Sequence, residues 1–245
     1  MEYLILIVAA FLAGLMNAIA GGGSFFVFPA LVFTGVPPIN ANASTTVALF
    51  PSAFASAWAY RHDLREFPGV RFPSMWVVSI AGGITGAAML LMTSEDFFDA
   101  VIPWLLLAST LAFAAGPRLA PLLHRNAGFQ PGSLLVAQFL VSVYGGYFGG
   151  AVGLVMFAVW SLFGVSDLRM MNANRTLLGG SMNAAAVVLF VITGTVFWTK
   201  TVIMVVFGVA GGYLGAKLVL RMNPAVARVV VIAVGIGVTA AFFLR

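Results

Sequence analysis

The residue types that could do chemistry in this sequence gather around two glycine clusters. Gly21, Gly22 and Gly23 precede Ser24 after one apolar run, and Gly149, Gly150 and Gly153 follow another. Asn17, Asn42, Thr45 and Thr46 flank the first cluster, while Tyr147, Asn174 and Arg175 flank the second. Glycine lets an oxyanion approach the backbone closely, and a helix that starts after such a break presents free N–H groups and the positive end of its dipole. Amide, hydroxyl and guanidinium donors around those N–H groups form a set suited to an anion. The same side chains also serve ordinary purposes, bonding across membrane helices or capping a helix start. Asn42 and Asn174 stand where they can cap the helices that follow as well as donate to a ligand, and Ser44, like Ser24, where it can open a helix. Arg175 lies just before an apolar run, so it either faces a cavity and attracts anions or snorkels to the cytoplasmic headgroups and sets topology.

Catalytic and metal chemistry find no parts. The chain has no Cys, its two His (His62 and His124) lie in connections, and outside the connections and their edges no Asp or Glu falls in an apolar run. Neither a nucleophilic dyad nor a transition-metal site can be assembled, and a carboxylate proton relay in mid-membrane has no support. No enzymatic activity and no cofactor are expected.

The elements that position these residues are membrane helices. With 62% hydrophobic and 8% charged residues over 245 positions, the chain lies outside the range of soluble domains. The formal charge of +5 comes from Lys and Arg in short connections, which topology explains, so nucleic acid is not an expected partner and the lipid bilayer is. Runs matching the roughly 20 residues needed to cross a bilayer occur near 3–20, 43–60, 73–92, 99–115, 133–149, 175–193, 200–219 and 225–244. Two runs, 25–36 and 154–165, are shorter, and each follows a glycine cluster. The predicted fold is an all-α polytopic membrane protein of about eight long and two short helices.

The order of elements recurs, and so do words. "NAN" at Asn40–Asn42 returns at Asn172–Asn174, and "AGGITGA" at Ala81–Ala87 returns as "AGGYLGA" at Ala210–Ala216. The glycines of the second pair, Gly82 and Gly86 with Gly211 and Gly215, are spaced for close helix packing. A duplication divides the chain into repeats at 1–125 and 126–245. Five runs in each make the second enter from the opposite side, with both termini extracytoplasmic when Arg61, Arg65, Arg71, Arg118, Arg125, Arg169, Arg175, Lys217, Arg221 and Arg228 are put in the cytoplasm. Inverted repeats of this kind bind substrate at broken helices near the midplane.

The segments "GLMNAIAGGGSFFVFPALVFTGVPPINANASTTVAL" at 14–49 and "GGYFGGAVGLVMFAVWSLFGV" followed by "NANRT", with the closing "GGYLGA", resemble the TauE/SafE family of sulfite and organosulfonate permeases. That resemblance covers essentially the whole chain. It implies a multi-pass carrier of the bacterial inner membrane, often an exporter, for a small anion such as sulfite, sulfoacetate or a related organosulfonate. Where family members often carry an acidic residue near the second glycine break, this chain has "YGGYFGGAVG". An anion channel or passive facilitator, or a carrier of small carboxylates, would use the same residues, and homo-oligomer formation stays open.

Overall fold

The computed structural model describes residues 2–19, 22–123, 130–218 and 224–245. Gly21, His124, Arg125 and Arg221, all named above, lie outside these residues, as does the expected repeat boundary at 125/126. Ten helices follow in order: α1 Glu2–Ile19, α2 Ser24–Phe33, α3 Pro38–Ala59, α4 Phe72–Met92, α5 Glu95–Leu123, α6 Pro131–Tyr147, α7 Val152–Leu162, α8 Leu168–Ile192, α9 Trp198–Leu218 and α10 Pro224–Phe243. A 3-10 turn at Arg61–Asp63 sits between α3 and α4, and no β-strand occurs among the described residues.

Local chemistry sets the helix ends. Pro38, Pro131 and Pro224 open α3, α6 and α10, where the missing N–H would have had no helical partner. Asp167 caps α8, its carboxylate accepting from the N–H of Arg169 at 3.0 Å and of Met170 at 3.2 Å. At the other ends, α2, α7 and α8 stop at Gly35, Gly164 and Gly194, which take positive φ of 83°, 87° and 68°. Each glycine is followed by an N–H that reaches back over the last turn, Val36 to Leu31 O, Val165 to Trp160 O and Thr195 to Phe190 O. These are Schellman closures.

Two expectations need correction here. Asn42 and Asn174 do not cap helices, and Ser44 does not start one: α3 begins at Pro38 and α8 at Leu168, so all three lie within helices. The reason is that proline and Asp167 supply the starts upstream, while the polar side chains find partners elsewhere in the fold. The Ser44 hydroxyl accepts from Phe197 N–H at 2.9 Å, at the entry to α9.

The bundle is assembled from close helix pairs. α1 packs along α9 and α4 along α6, while α3 packs against α8 and α5 against α10. Glycine permits the first two approaches. A methyl at Gly14 would clash with the Gly208 carbonyl, one at Gly211 with the Phe11 carbonyl, and one at Gly86 with the Val143 carbonyl. Buried Phe25, Phe28, Leu31, Phe98 and Phe190 fill one core, and Phe67, Met75, Trp160 and Met182 another. The outside is apolar as well: Trp58, Met92, Trp104, Leu140, Ile192 and Val229 are all exposed. In water such a surface would aggregate, whereas lipid solvates it. Among the described residues, Phe72–Met92 and Arg169–Ile192 are long and apolar enough to cross a bilayer.

Candidate functional site

The start of α2, just after the first glycine cluster, and the second glycine break both line a cavity of about 100 Å³. Asn17 comes from α1, Ser24 from the first turn of α2, and Leu49 and Ala53 from α3. Gly149 lies in the second break, Val152 and Gly153 in the first turn of α7, and Arg175, Thr176, Gly179, Gly180 and Asn183 on α8. Both short helices therefore direct their N-terminal, positive ends at one space. Gly149 takes φ of 75° and Ala151 of 53°, so the second break turns through a left-handed conformation just before α7. Half-buried Tyr144 supports this turn from α6, its hydroxyl donating to Gly150 O at 2.6 Å.

Arg175 lines the cavity. Its side chain crosses the first turn of α7, where a methyl on Gly153 would sit 2.6 Å from the Arg175 Cδ. The guanidinium carbon lies 5.3 Å from the centroid of the Phe157 ring, a cation–π contact from the same helix. Its Nε is buried and has no hydrogen-bond partner. No carboxylate is among the lining residues, and none pairs with Arg175 among the described residues. A cation has thus been set beside two helix N-termini that repel it, without a counter-charge. An anion in the cavity would relieve both conditions.

Of the residues singled out from sequence, Asn17, Ser24, Gly149, Gly153 and Arg175 are brought together here. The Asn17 amide donates to Ser52 Oγ at 3.1 Å, which turns its side chain toward α3. The others sit around the cavity rather than on it. Asn42 donates to Tyr147 O at 2.9 Å and ties α3 to the end of α6. Asn174 donates to Arg65 O at 2.8 Å, in the connection between α3 and α4, and its buried Oδ1 has no partner. Thr45 and Thr46 return their hydroxyl hydrogens to Ala41 O and Asn42 O within α3. Tyr147 packs edge-on against Phe98, with ring centroids 5.7 Å apart. Gly22 and Gly23 admit neighbours, since methyls there would lie 2.6 Å from a Val231 methyl and 2.7 Å from Ala13 O, and Gly150 does the same for the Phe148 ring.

Thr176 and Asn183, polar residues near the second break in the sequence, also line the cavity. Three contributors carry no signal in the sequence: Gly179 and Gly180 lie on the Arg175 face of α8 and read as ordinary membrane-helix residues, and Phe157 comes beside Arg175 only through the α7–α8 packing.

Comparison with known proteins supplies the wider setting. The family model for "Sulfite exporter TauE/SafE" matches residues 6–242. A probable membrane transporter protein of Haemophilus influenzae is 29% identical over 239 residues, 96% of this chain and 92% of that one. The probable membrane transporter protein ORF9 of Sinorhizobium sp is 30% identical over 218 residues, 87% and 80% of the two chains. The probable membrane transporter protein YfcA of Escherichia coli is 26% identical over 231 residues, 94% and 85% of the two.

Proposed function

The chain belongs to the sulfite exporter TauE/SafE family of membrane transporters, and on that premise we propose that it carries a small anion by alternating access around the cavity at Arg175. The observation that supports this reading best is the unpartnered Arg175 Nε, held where two helix N-termini converge and no carboxylate lines the wall. Sulfite, sulfoacetate or a related organosulfonate is the proposed cargo, and the bacterial inner membrane the proposed location.

The moving parts are the two halves, related as inverted repeats. Exchanging α1–α5 with α6–α10 turns the α1–α9 pair into α6–α4, the α3–α9 contact into α8–α4, and the α5–α7 contact into α10–α2. Hydrogen bonds cross between halves at both ends of the bundle. Asn174 reaches Arg65 O at one end and Asn40 reaches Thr195 O, at 2.6 Å, at the other. Rocking of one half against the other would break one set while keeping its counterpart.

With the cytoplasm negative, export of a monovalent anion gains about 2.3 kcal/mol per 100 mV, roughly fifty-fold accumulation outside, so no buried acid is required for coupling. The test is flux of radiolabelled sulfite or sulfoacetate from proteoliposomes at clamped potential. The proposed function predicts efflux that rises with interior-negative voltage; a rate indifferent to voltage for a charged cargo would contradict electrogenic export.

A further inference from the structure

We propose that Gly179 and Gly180 form a size-selecting floor of this cavity, with Asn183 as its far polar anchor, so that the anion it takes carries a short organic substituent; this rests on the anion site proposed above. The α8 residues that line the cavity are Arg175, Thr176, Gly179, Gly180 and Asn183. They share one helix face, and about 12 Å of rise separates the first from the last at 1.5 Å per residue. The cation stands at one end and a neutral amide at the other. Between them the two glycines leave the face without side chains, and Leu49 and Ala53 of α3 complete the wall.

Paired glycines inside a helix lower its stability, so their presence needs a physical reason. At Gly14, Gly86 and Gly211 the reason is backbone contact with a neighbouring helix. Gly179 and Gly180 have no such contact. A methyl at Gly179 would meet nothing within 4 Å, and the nearest neighbours of one at Gly180 would be the Phe54 ring at 3.6 Å and Ala53 Cβ at 3.7 Å, ordinary packing distances. These two glycines keep space open instead of letting helices touch. The space they keep is the one beside the unpartnered Arg175 Nε. An anionic head on Arg175 lays a short carbon body over the glycines, against Leu49 and Ala53. A bare oxyanion leaves that stretch unfilled and loses its packing contacts.

Calorimetric titration of the purified protein with methane-, ethane-, propane- and butanesulfonate tests the floor, using wild type, Gly179→Ala and Gly179→Val, with melting temperatures recorded. Wild type should bind a longer member more tightly than methanesulfonate. In both variants the affinity for the longer members should fall about tenfold or more relative to that for methanesulfonate, the discrimination that a pocket shortened by a methyl gives. Gly179→Ala should melt no lower than wild type, because it removes a helix-interior glycine. Equal weakening across the series, or an unchanged size profile, would overturn the floor and assign the glycines to packing or hinge motion. A wild type that binds no sulfonate of any length would overturn the anion site itself, and the floor with it; the wild-type isotherms separate that failure from the other.

Discussion

Arg175 is a cation that the fold sets beside two positive helix ends, in a cavity lined by neutral residues. Gly153 leaves room for its stem and Phe157 offers a ring face to its guanidinium. A charge-assisted hydrogen bond is worth about 1.5–3 kcal/mol, so Arg175→Gln should weaken anion binding by roughly ten- to a hundredfold at 1.4 kcal/mol per decade. Arg175→Lys should recover part of it, since an ammonium keeps the charge without the planar fork. Titration of the two variants side by side checks this, and equal loss in both would mean that fork geometry, not charge, carries the site. The sequence singles out Arg175 as the charge immediately after Asn174 and just before an apolar run. Its two readings differed only in side-chain direction, which depends on α7 packing across α8. Gly179 and Gly180 were not legible for a related reason. In a glycine-rich membrane protein, a glycine that faces a backbone and one that faces a void have the same neighbours in sequence.

The helices explain why polar residues next to the breaks are not all ligands. Asn42 and Tyr147 are 105 positions apart, and Asn174 and Arg65 are 109 apart, yet each asparagine donates across that distance. Such partners are invisible locally, so an Asn ahead of an apolar run reads as a helix cap. The breaks themselves were legible because an apolar run too short to span, placed directly after clustered glycines, must leave the helix inside the membrane and bury the exposed backbone in protein. Asn42→Ala should orphan the Tyr147 carbonyl, at a cost of about 1–3 kcal/mol, and lower the melting temperature without removing Arg175 from the cavity. Tyr144→Phe should act similarly by leaving Gly150 O unpaired at the second break. It should also loosen the α7 N-terminus and weaken anion binding, whereas Asn42→Ala should lower stability more than affinity. Thermal melts with and without saturating sulfite distinguish the two. Gly86→Leu and Gly211→Leu should fail at an earlier stage, because each forces apart a glycine-mediated helix contact; loss of a monodisperse peak in size-exclusion chromatography would register it.

For the whole molecule, alternating access requires the ends of the bundle to open in turn. Arg65 and Asp167, from opposite halves, stand 3.7 Å apart at one end as an exposed ion pair, which by itself adds little stability. Its value is as a place to test motion. The chain has no native cysteine, so Arg65→Cys with Asp167→Cys gives a clean site for a short bifunctional thiol reagent. Joining the two positions should stop net flux, with recovery on reduction if the reagent is cleavable; undiminished flux in the joined protein would argue against opening at that end. The convergence of Ser24 with Gly149 and Gly153 on one cavity was not readable in advance, because it depends on how α3 and α8 pack together.

The central claim is that this cavity, built by both halves around Arg175, holds an anion. Equilibrium titration of sulfite and sulfoacetate into wild type and Arg175→Gln, each verified as folded by thermal melt, tests it most directly. Saturable binding in wild type that falls by at least about tenfold in the variant is the predicted result. Binding of equal strength in both proteins, or none in wild type, would contradict it.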